Sequence, residues 1–267
     1  MSAITAGDVQ KSVAEKNPAL EIRNLSVIYQ SDRGSTTAVQ NLDLTVQNGE
    51  FVSVLGPSGC GKSTALSVVA GLLAPTFGTV SVFGQTIHGA PHPKTGIVFQ
   101  RPTLLPWQTV LQNVLIPVMA ARLPTANYTT RALELLDMVG LKKFARHYPN
   151  ELSGGMQQRV SMARALILDP NLLLMDEPFA ALDAMTRERM AVDLLEIWEA
   201  SKKSVLFITH SVPEAVFLSD RVVMMSSSPG RVIEDVRIDL PRPRTEETMA
   251  TPEFAAFCGA LRKMYIE

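Results

Sequence analysis

The chain has 267 residues, of which 46% are hydrophobic and 19% are charged, and this composition excludes a disordered chain. Its 25 basic and 26 acidic side chains nearly cancel, which argues against an overall electrostatic attraction to nucleic acid or anionic lipid. The longest stretches without a polar side chain have eight residues, whereas a membrane-spanning helix needs roughly 20. Two cysteines exclude a disulfide framework, so we expect a cytosolic protein. The length predicts one large domain or one domain with a small inserted lobe.

Apolar runs of two kinds predict two kinds of β-strand. After a polar, aperiodic tail at residues 1–18, which we expect to be mobile, apolar residues alternate from Leu20 and again over residues 41–46. Both segments are predicted to be half-buried antiparallel strands. Residues 51–55 (FVSVL) instead form a nearly continuous β-prone run that stops at a glycine, as in a parallel strand covered on both faces. Three further runs share that character: residues 172–175 (LLLM), 205–209 (VLFIT) and 222–225 (VVMM).

Helical patterns lie between these strands. They are predicted at residues 62–73, at residues 133–139 before Gly140, at residues 156–167 before Asp169-Pro170, and from residue 251 towards the C-terminus. Strands that alternate with helices indicate an α/β fold with a mainly parallel sheet. Residues 101–168 contain no convincing central strand, and we expect them to form a separate helical lobe.

A glycine-rich segment carries the strongest chemical signal. Residues 56–63 (GPSGCGKS) match the phosphate-loop pattern G-x-x-x-x-G-K-[ST], between a predicted buried strand and a predicted helix. Its glycines leave room for backbone N–H groups to converge on phosphate oxygens, and the following helix adds the positive end of its dipole. We expect Lys62 to reach the β- and γ-phosphates and the Ser63 hydroxyl to hold Mg²⁺. A merely structural turn is the alternative, which the strand-to-helix context disfavours. The predicted binding residues are Gly56, Pro57, Ser58, Gly59, Cys60, Gly61, Lys62, Ser63 and Thr64.

Such a loop alone is compatible with kinases, GTPases, helicases and transporter ATPases, and two further motifs narrow the choice. Residues 152–159 (LSGGMQQR) open a predicted helix with a serine cap and two glycines, which favours a second anion-binding terminus; ordinary capping is the alternative. Asp176 and Glu177 follow a buried strand, at the end where ligands bind in open α/β sheets. Asp176 suits Mg²⁺ coordination, and Glu177 could polarise an attacking water.

With these motifs the sequence resembles the ATP-binding subunits of ABC transporters over nearly the whole chain. The resemblance implies a P-loop NTPase core with a mainly parallel sheet, an antiparallel β subdomain and an inserted helical lobe. The ATPase domain would span residues 19–240 with the lobe at about 101–168, followed by a linker and helix at 241–267. It also identifies a Q-loop glutamine, a D-loop aspartate, a switch histidine and an adenine-stacking aromatic: Gln100, Asp183, His210 and Tyr29.

Three longer strings, FQRPTLLPW, DEPFAALDAMTR and THSVPEAVFLSDRVV, are similar to the subgroup that imports nitrate, sulfonate, taurine and bicarbonate. Two positions depart from the usual pattern: Met156 follows the glycine pair, and Ala180 precedes Ala-Leu-Asp. Neither residue is assigned to chemistry. Trp107, in the LPW string, could dock on a permease or pack inside the lobe.

The resemblance implies an ATPase in which two subunits close head to tail around two ATP molecules with Mg²⁺. The second subunit is expected to be an identical copy, although a paralogous one stays open. The implied partners are two transmembrane permease subunits and, indirectly, a periplasmic or extracellular solute-binding protein, at the cytoplasmic face of the membrane and without nucleic acid. The predicted function is therefore the ATPase that energises a membrane importer for a small anionic solute. An exporter or lipid-transport ATPase and a soluble ABC ATPase are the alternatives to this function.

The resemblance also assigns roles to the site residues. The catalytic residues would be Glu177, His210 and Lys62. The Mg²⁺ ligands would be Ser63, Gln100 and Asp176. The residues acting across the subunit interface would be Ser153, Gly154, Gly155 and Asp183.

Overall fold

The computed structural model describes residues 17–31, 34–180 and 182–266, so the predicted tail, apart from Asn17 and Pro18, lies outside the described residues. The strands and helices are, in chain order, β1 (Leu20–Ser31), β2 (Gly34–Val46), β3 (Phe51–Leu55), α1 (Lys62–Val69), β4 (Phe77–Val82), β5 (Gln85–Thr86), β6 (Thr95–Val98), α2 (Val110–Ala120), α3 (Thr129–Met138), α4 (Gly154–Leu166), β7 (Leu172–Asp176), α5 (Ala184–Ser201), β8 (Ser204–Thr209), α6 (Val212–Leu218), β9 (Arg221–Met225), β10 (Val232–Arg237), α7 (Glu246–Met249) and α8 (Pro252–Ile266).

The larger sheet has the order β10-β9-β3-β8-β7-β6, and all neighbours except β10 and β9 are parallel. Every residue of β3 and of β8 is buried, as expected for strands covered on both faces, so the predicted parallel core is confirmed. The parallel register aligns Leu55 with Thr209, and it aligns Asp176 with Ile208. The segments that leave the carboxyl ends of β3, β6, β7 and β8 therefore emerge at one edge of the sheet.

A second sheet, in the order β2-β1-β4-β5, is antiparallel throughout and packs over α1. Leu25 and Val39 from this sheet share a buried core with Leu66 of α1 and Val54 of β3. The two predicted antiparallel strands are thus confirmed. The sequence analysis missed β4, β5 and β6, because they have only six, two and four residues and lack a long alternating pattern.

Residues 101–168 contain α2, α3 and α4 and no strand, as predicted. Helix α2 had no clear signal because Pro117 lies inside it, although Thr109 and Gln112 form a capping box at its start. The apolar side chains of this lobe share one hydrophobic cluster with Phe51 and Phe207 of the large sheet. The lobe therefore packs directly on the sheet, and its boundaries at 101 and 168 remain a prediction.

The structure adds detail to two expectations, the helix over residues 62–73 and the linker that begins at residue 241. Helix α1 ends at Val69 and not at residue 73, because Gly71 adopts a positive φ of 71° that stops the helix. In the C-terminal segment Arg244 is 4% exposed and donates to five backbone carbonyls, three of them in residues 216–219 at the end of α6. Burial lowers the pKa of Arg244 to about 10. The segment after residue 240 is thus anchored to α6 before α8 begins.

Helix α8 packs against α6 through Phe254, Cys258 and Leu261, which are all buried. Phe254 and Leu261 belong to the predicted apolar face, whereas the side chain of Tyr265 lies outside the described residues. None of the helices in the described ranges is both long and apolar enough to cross a membrane.

Candidate active site

The glycine loop joins β3 to α1 and is shaped by close backbone contacts. Gly61, the N-cap of α1, has a φ of 100°, and a Cβ at this position would lie 2.4 Å from the Ala38 carbonyl oxygen. Only glycine fits such a site without displacement of the backbone. Since glycine has no side chain to cap the helix, the N–H groups of the first turn are left for a ligand.

Lys62 folds back over this loop. Its side chain is 4% exposed, and its ammonium donates to the carbonyl oxygens of Gly56 at 2.7 Å and Pro57 at 2.9 Å. The Nζ atom also lies 3.8 Å from Glu177 Oε1. The lysine charge is therefore held at the mouth of the loop, where phosphate oxygens of a nucleotide would lie.

Asp176 ends β7 beside the first turn of α1. Its Oδ1 accepts a hydrogen bond of 2.9 Å from Ser63 Oγ. Burial, the largest effect, raises the pKa of Asp176, and the bond from Ser63 opposes this rise only in part. A hydroxyl and a desolvated carboxylate are hard oxygen ligands, and a divalent cation would compensate the buried charge. The pair therefore fits Mg²⁺.

Within the described ranges no group of three His, Cys, Asp or Glu side chains could hold a metal ion. A cation at Asp176 would therefore take other oxygen ligands. This fits Mg²⁺ bound through one or two protein oxygens together with substrate phosphates.

Glu177 and His210 meet across the sheet edge. His210 follows β8, and its Nδ1 lies 2.9 Å from Glu177 Oε2. Glu177 has a φ of 41°, a conformation that is unfavourable for a residue with a side chain, and its N–H donates to the Ile208 carbonyl at 2.9 Å. The neighbouring strand thus holds this carboxylate in a fixed place, directed towards the histidine.

The structure also brings Gln100 and Tyr29 to this region. Gln100 is exposed two residues beyond Val98, which pairs with Met175 next to the acidic residues. The preceding carbonyl, that of Phe99, accepts a hydrogen bond of 3.2 Å from Gln158 in α4, so the lobe contacts this loop directly. Tyr29 is 46% exposed, and its hydroxyl lies 3.4 Å from Thr64 Oγ1 in α1.

The residues predicted to act across an interface lie apart from this cluster. Ser153 caps α4 through a 3.3 Å bond that its Oγ accepts from the Met156 N–H, and both Ser153 and Gly154 are exposed. Asp183 caps α5 through the Thr186 N–H at 3.0 Å, and the bond with Thr186 lowers the pKa of Asp183. In the described ranges neither residue bonds to the phosphate loop. Ala181, the first residue of the predicted D-loop, lies outside them.

Gly230 supports the phosphate loop, and the sequence analysis missed it. Its N–H donates to the Ala38 carbonyl at 3.0 Å, and an added Cβ would lie 2.0 Å from the Cys60 carbonyl oxygen. The Ser-Pro-Gly sequence at 228–230 signalled only a turn. Cys60 itself is 1% exposed, so its thiol belongs to the packed floor of the loop.

A phosphate loop whose lysine and serine face two carboxylates at a sheet edge is the arrangement of a P-loop nucleoside-triphosphate hydrolase. A sequence model of the ABC transporter family matches residues 39–180, more than half of the chain, and the chain belongs to that family.

Three relatives are named as ATP-binding proteins for nitrate import, bicarbonate transport and taurine import. The nitrate import ATP-binding protein NrtD of Synechocystis sp. is 45% identical, over 92% of this chain and 94% of the relative. The bicarbonate transport ATP-binding protein CmpD of the same organism is 46% identical, over 85% of this chain and 82% of the relative. The taurine import ATP-binding protein TauB of Jannaschia sp. is 42% identical, over 88% of this chain and 90% of the relative.

Among solved structures, a dimeric ATP-binding cassette in a post-hydrolysis state, bound to ADP and Pi, has a TM-score of 0.73 and 33% sequence identity. The structural match covers 83% of this chain and 100% of the solved chain. The α/β fold with a parallel and an antiparallel sheet is thus confirmed. The chain is an ATP-hydrolysing ABC cassette and the ATP-binding subunit of an ABC transporter.

Proposed function

We propose that this subunit hydrolyses ATP to energise a membrane importer for a small anionic solute such as nitrate, sulfonate or taurine. The observation that carries the proposed chemistry is the contact of 2.9 Å between Glu177 Oε2 and His210 Nδ1, beside a buried lysine at the phosphate loop. A carboxylate held by a neighbouring strand and oriented by a histidine can accept the proton of an attacking water.

Each residue of the cluster has a distinct part in this proposal. Lys62 and the N–H groups at the start of α1 bind the β- and γ-phosphates, and Tyr29 stacks on adenine. Ser63, Asp176 and Gln100 would hold Mg²⁺, which supplies charge neutralisation on the phosphates when bound. Glu177 takes the proton of the water, while His210 fixes this carboxylate and contacts the γ-phosphate.

The other half of the site would come from a second subunit, which we propose to be an identical copy. Ser153, Gly154 and Gly155 open a helix of 13 residues and are at least partly exposed, so its terminal N–H groups are accessible to a phosphate on another chain. Asp183 is exposed at the start of α5 and would face the same interface. The structural relative bound to ADP and Pi is itself dimeric, which supports this arrangement.

We propose that the helical lobe docks on a membrane permease, of which the complex contains two subunits, at the cytoplasmic face of the membrane. Trp107 is 69% exposed, so it does not pack inside the lobe. Next to it, a groove of about 480 Å³ is lined by Pro106, Arg146, His147, Tyr148, Asn150 and Glu151. An exposed tryptophan beside a groove is typical of a protein interface.

The same lobe contacts the loop of Gln100 through Gln158, which offers a route from the docking surface to the nucleotide. The three relatives are named for nitrate, taurine and bicarbonate, each a small solute that carries an anionic group, and this supports the proposed solute class. A periplasmic or extracellular solute-binding protein would act indirectly, through the permease. Selectivity for one solute would reside in those partners.

The substitution Glu177→Gln tests the proposed chemistry. Hydrolysis should fall by about 10²-fold or more, because the water loses its proton acceptor, whereas ATP should bind with nearly unchanged affinity. Size-exclusion chromatography with ATP should then show a trapped dimer. Glu188→Gln, the same change at an exposed position of α5, is the matched control. Wild-type turnover in the Glu177 variant would remove this residue from its role.

The proposed docking surface can be tested by co-purification with the permease from detergent-solubilised membranes. Trp107→Ala should reduce recovery of the complex while ATP binding to the chain is unchanged. Leu123→Ala, a change at a residue of the same lobe that is 39% exposed, is the control. Equal recovery of both variants would argue against Trp107 as a contact with the permease.

A further inference from the structure

The backbone on both sides of His210 is fixed by one buried acidic residue. Thr209 Oγ1 donates to Glu214 Oε2 at 2.6 Å and accepts from the Ser211 N–H at 2.9 Å. Ser211 Oγ in turn accepts from the Glu214 N–H at 3.5 Å, at the start of α6. The residues before and after the histidine are therefore both held by the first turn of α6.

Glu214 is paired with a cation on a different helix. Glu214 is 8% exposed, and desolvation raises its pKa, while the Thr209 bond and the Arg187 charge oppose that rise. Arg187 Nε, in α5, lies 3.6 Å from Glu214 Oε1. This separation is too long for a good hydrogen bond, so in this arrangement the pair recovers only part of the cost of burial.

Arg187 also reaches the loop that precedes its own helix. Its terminal nitrogen donates to the Leu182 carbonyl at 2.9 Å. The next residue, Asp183, caps α5 and is proposed to face the second subunit. A continuous set of contacts therefore runs from this loop through Arg187, Glu214 and Thr209 to the backbone of His210.

We propose that Arg187 and Glu214 are positioning residues for hydrolysis, which couple the loop at residues 182–183 to the placement of His210 against Glu177. When the second subunit moves this loop, the guanidinium moves with the Leu182 carbonyl and changes its hold on Glu214. The carboxylate then shifts Thr209 and the adjoining histidine. The inference rests on the proposed function of His210 and Glu177.

A double-mutant cycle on the full-length chain tests this coupling. Arg187→Gln and Glu214→Gln should each lower kcat about tenfold, and the double variant should show the same loss rather than a hundredfold one. Neither residue contacts the phosphate loop, so the KM for ATP should stay within about twofold of the wild-type value. The kcat of Arg187→Lys should lie between those of the wild type and Arg187→Gln. Lysine keeps the charge but lacks the guanidinium that can contact the Leu182 carbonyl and Glu214 at the same time.

Controls separate this role from a structural one. Glu188→Gln and Arg189→Gln are the same chemical changes at exposed neighbours on α5 and should leave kcat unchanged. Since glutamine at 214 still accepts from Thr209, that variant should fold. If Arg187→Gln does not fold, the cycle is completed with Arg187→Lys.

Additive losses in kcat, a wild-type kcat, or a loss that appears only in KM or in the melting temperature would overturn the proposal. An inactive wild-type chain would instead count against the proposed function. The two failures are therefore distinguishable.

Discussion

Helices α1 and α4 both begin at glycine-containing turns, yet their first turns lie in different surroundings. At α1 the lysine is 4% exposed, and an added Cβ on Gly61 would overlap the Ala38 carbonyl. At α4 Ser153 and Gly154 are exposed, and a Cβ on Gly154 would meet no atom of the described residues within 4 Å. The glycine of α1 is required by its own chain, whereas packing within this chain leaves Gly154 unconstrained.

The side-chain contacts around the two helix ends also differ. Near α1 the side chains form two pairs: Ser63 Oγ donates to Asp176 Oδ1 at 2.9 Å, and Lys62 Nζ lies 3.8 Å from Glu177 Oε1. Among the described residues, the side-chain cap of α4 binds its own first turn. A helix end acts on charges only within about one turn, so a ligand would have to come that close to α4. The first end is assembled within the chain, and we propose that the second is half of a site completed by another subunit.

Among changes at these two helix ends, the largest expected effect is loss of ATP binding in Lys62→Ala. A hydrogen bond to a charged group contributes about 1.5–3 kcal/mol, so affinity should fall roughly 10- to 100-fold. Titration with a fluorescent ATP analogue measures it. The exposed Lys143 of the helical lobe, changed to alanine, is the control and should keep wild-type affinity. Unchanged affinity in the Lys62 variant would show that the α1 end does not depend on its lysine for phosphate.

A smaller effect is expected when two inactive variants are mixed. ATPase activity should partly return if the two halves of each site come from different chains. Lys62→Ala and Ser153→Arg should each be inactive alone, because each removes one half of both sites in a dimer. A mixed head-to-tail dimer contains one site with both defects and one with neither. With random pairing, about a quarter of wild-type ATPase activity should therefore return on mixing.

Differential tags confirm that mixed dimers form in that experiment. A confirmed mixed dimer without activity would leave the interface role of Ser153 unsupported. A Ser153→Arg chain that fails to bind ATP as a monomer would contradict it directly, because binding should need only the chain's own phosphate loop.

The smallest effect concerns the stability of Asp176→Asn. The folded chain binds the Asp176 proton more tightly than the unfolded chain does, because burial raises the pKa. Ionisation of this group therefore removes stability as pH rises through the unfolded-state pKa, and the loss is complete above the folded-state pKa. At pH 7, without nucleotide, the asparagine variant should melt a few degrees higher than the wild type.

With Mg²⁺ and ATP present the order of melting temperatures should reverse, since asparagine lacks the charge that holds the cation. Thermal unfolding with and without MgATP measures both changes. Glu234→Gln, on an exposed strand position, controls for loss of a carboxylate and should shift neither value. A lower melting temperature of Asp176→Asn in both conditions would show that the aspartate is needed for folding.

The sequence alone determined those features whose cause is local. The glycines and lysine of residues 56–63 specify a phosphate loop because backbone freedom and charge are properties of the residues themselves. The apolar runs at β3, β7 and β8 specify buried parallel strands, since strands covered on both faces need no alternation. Helix α2 was missed because Pro117 breaks the expected pattern, and β4 to β6 were missed because they are short.

Only the tertiary structure decided which side chains meet. Ser63 and Asp176 are 113 residues apart, and Glu177 and His210 are 33 apart, and no spacing rule links such positions. The pairs form because the parallel register brings the ends of β3, β7 and β8 to one edge of the sheet. The contact from Arg187 to Glu214 likewise depends on the packing of α5 against α6, which neither helix encodes by itself.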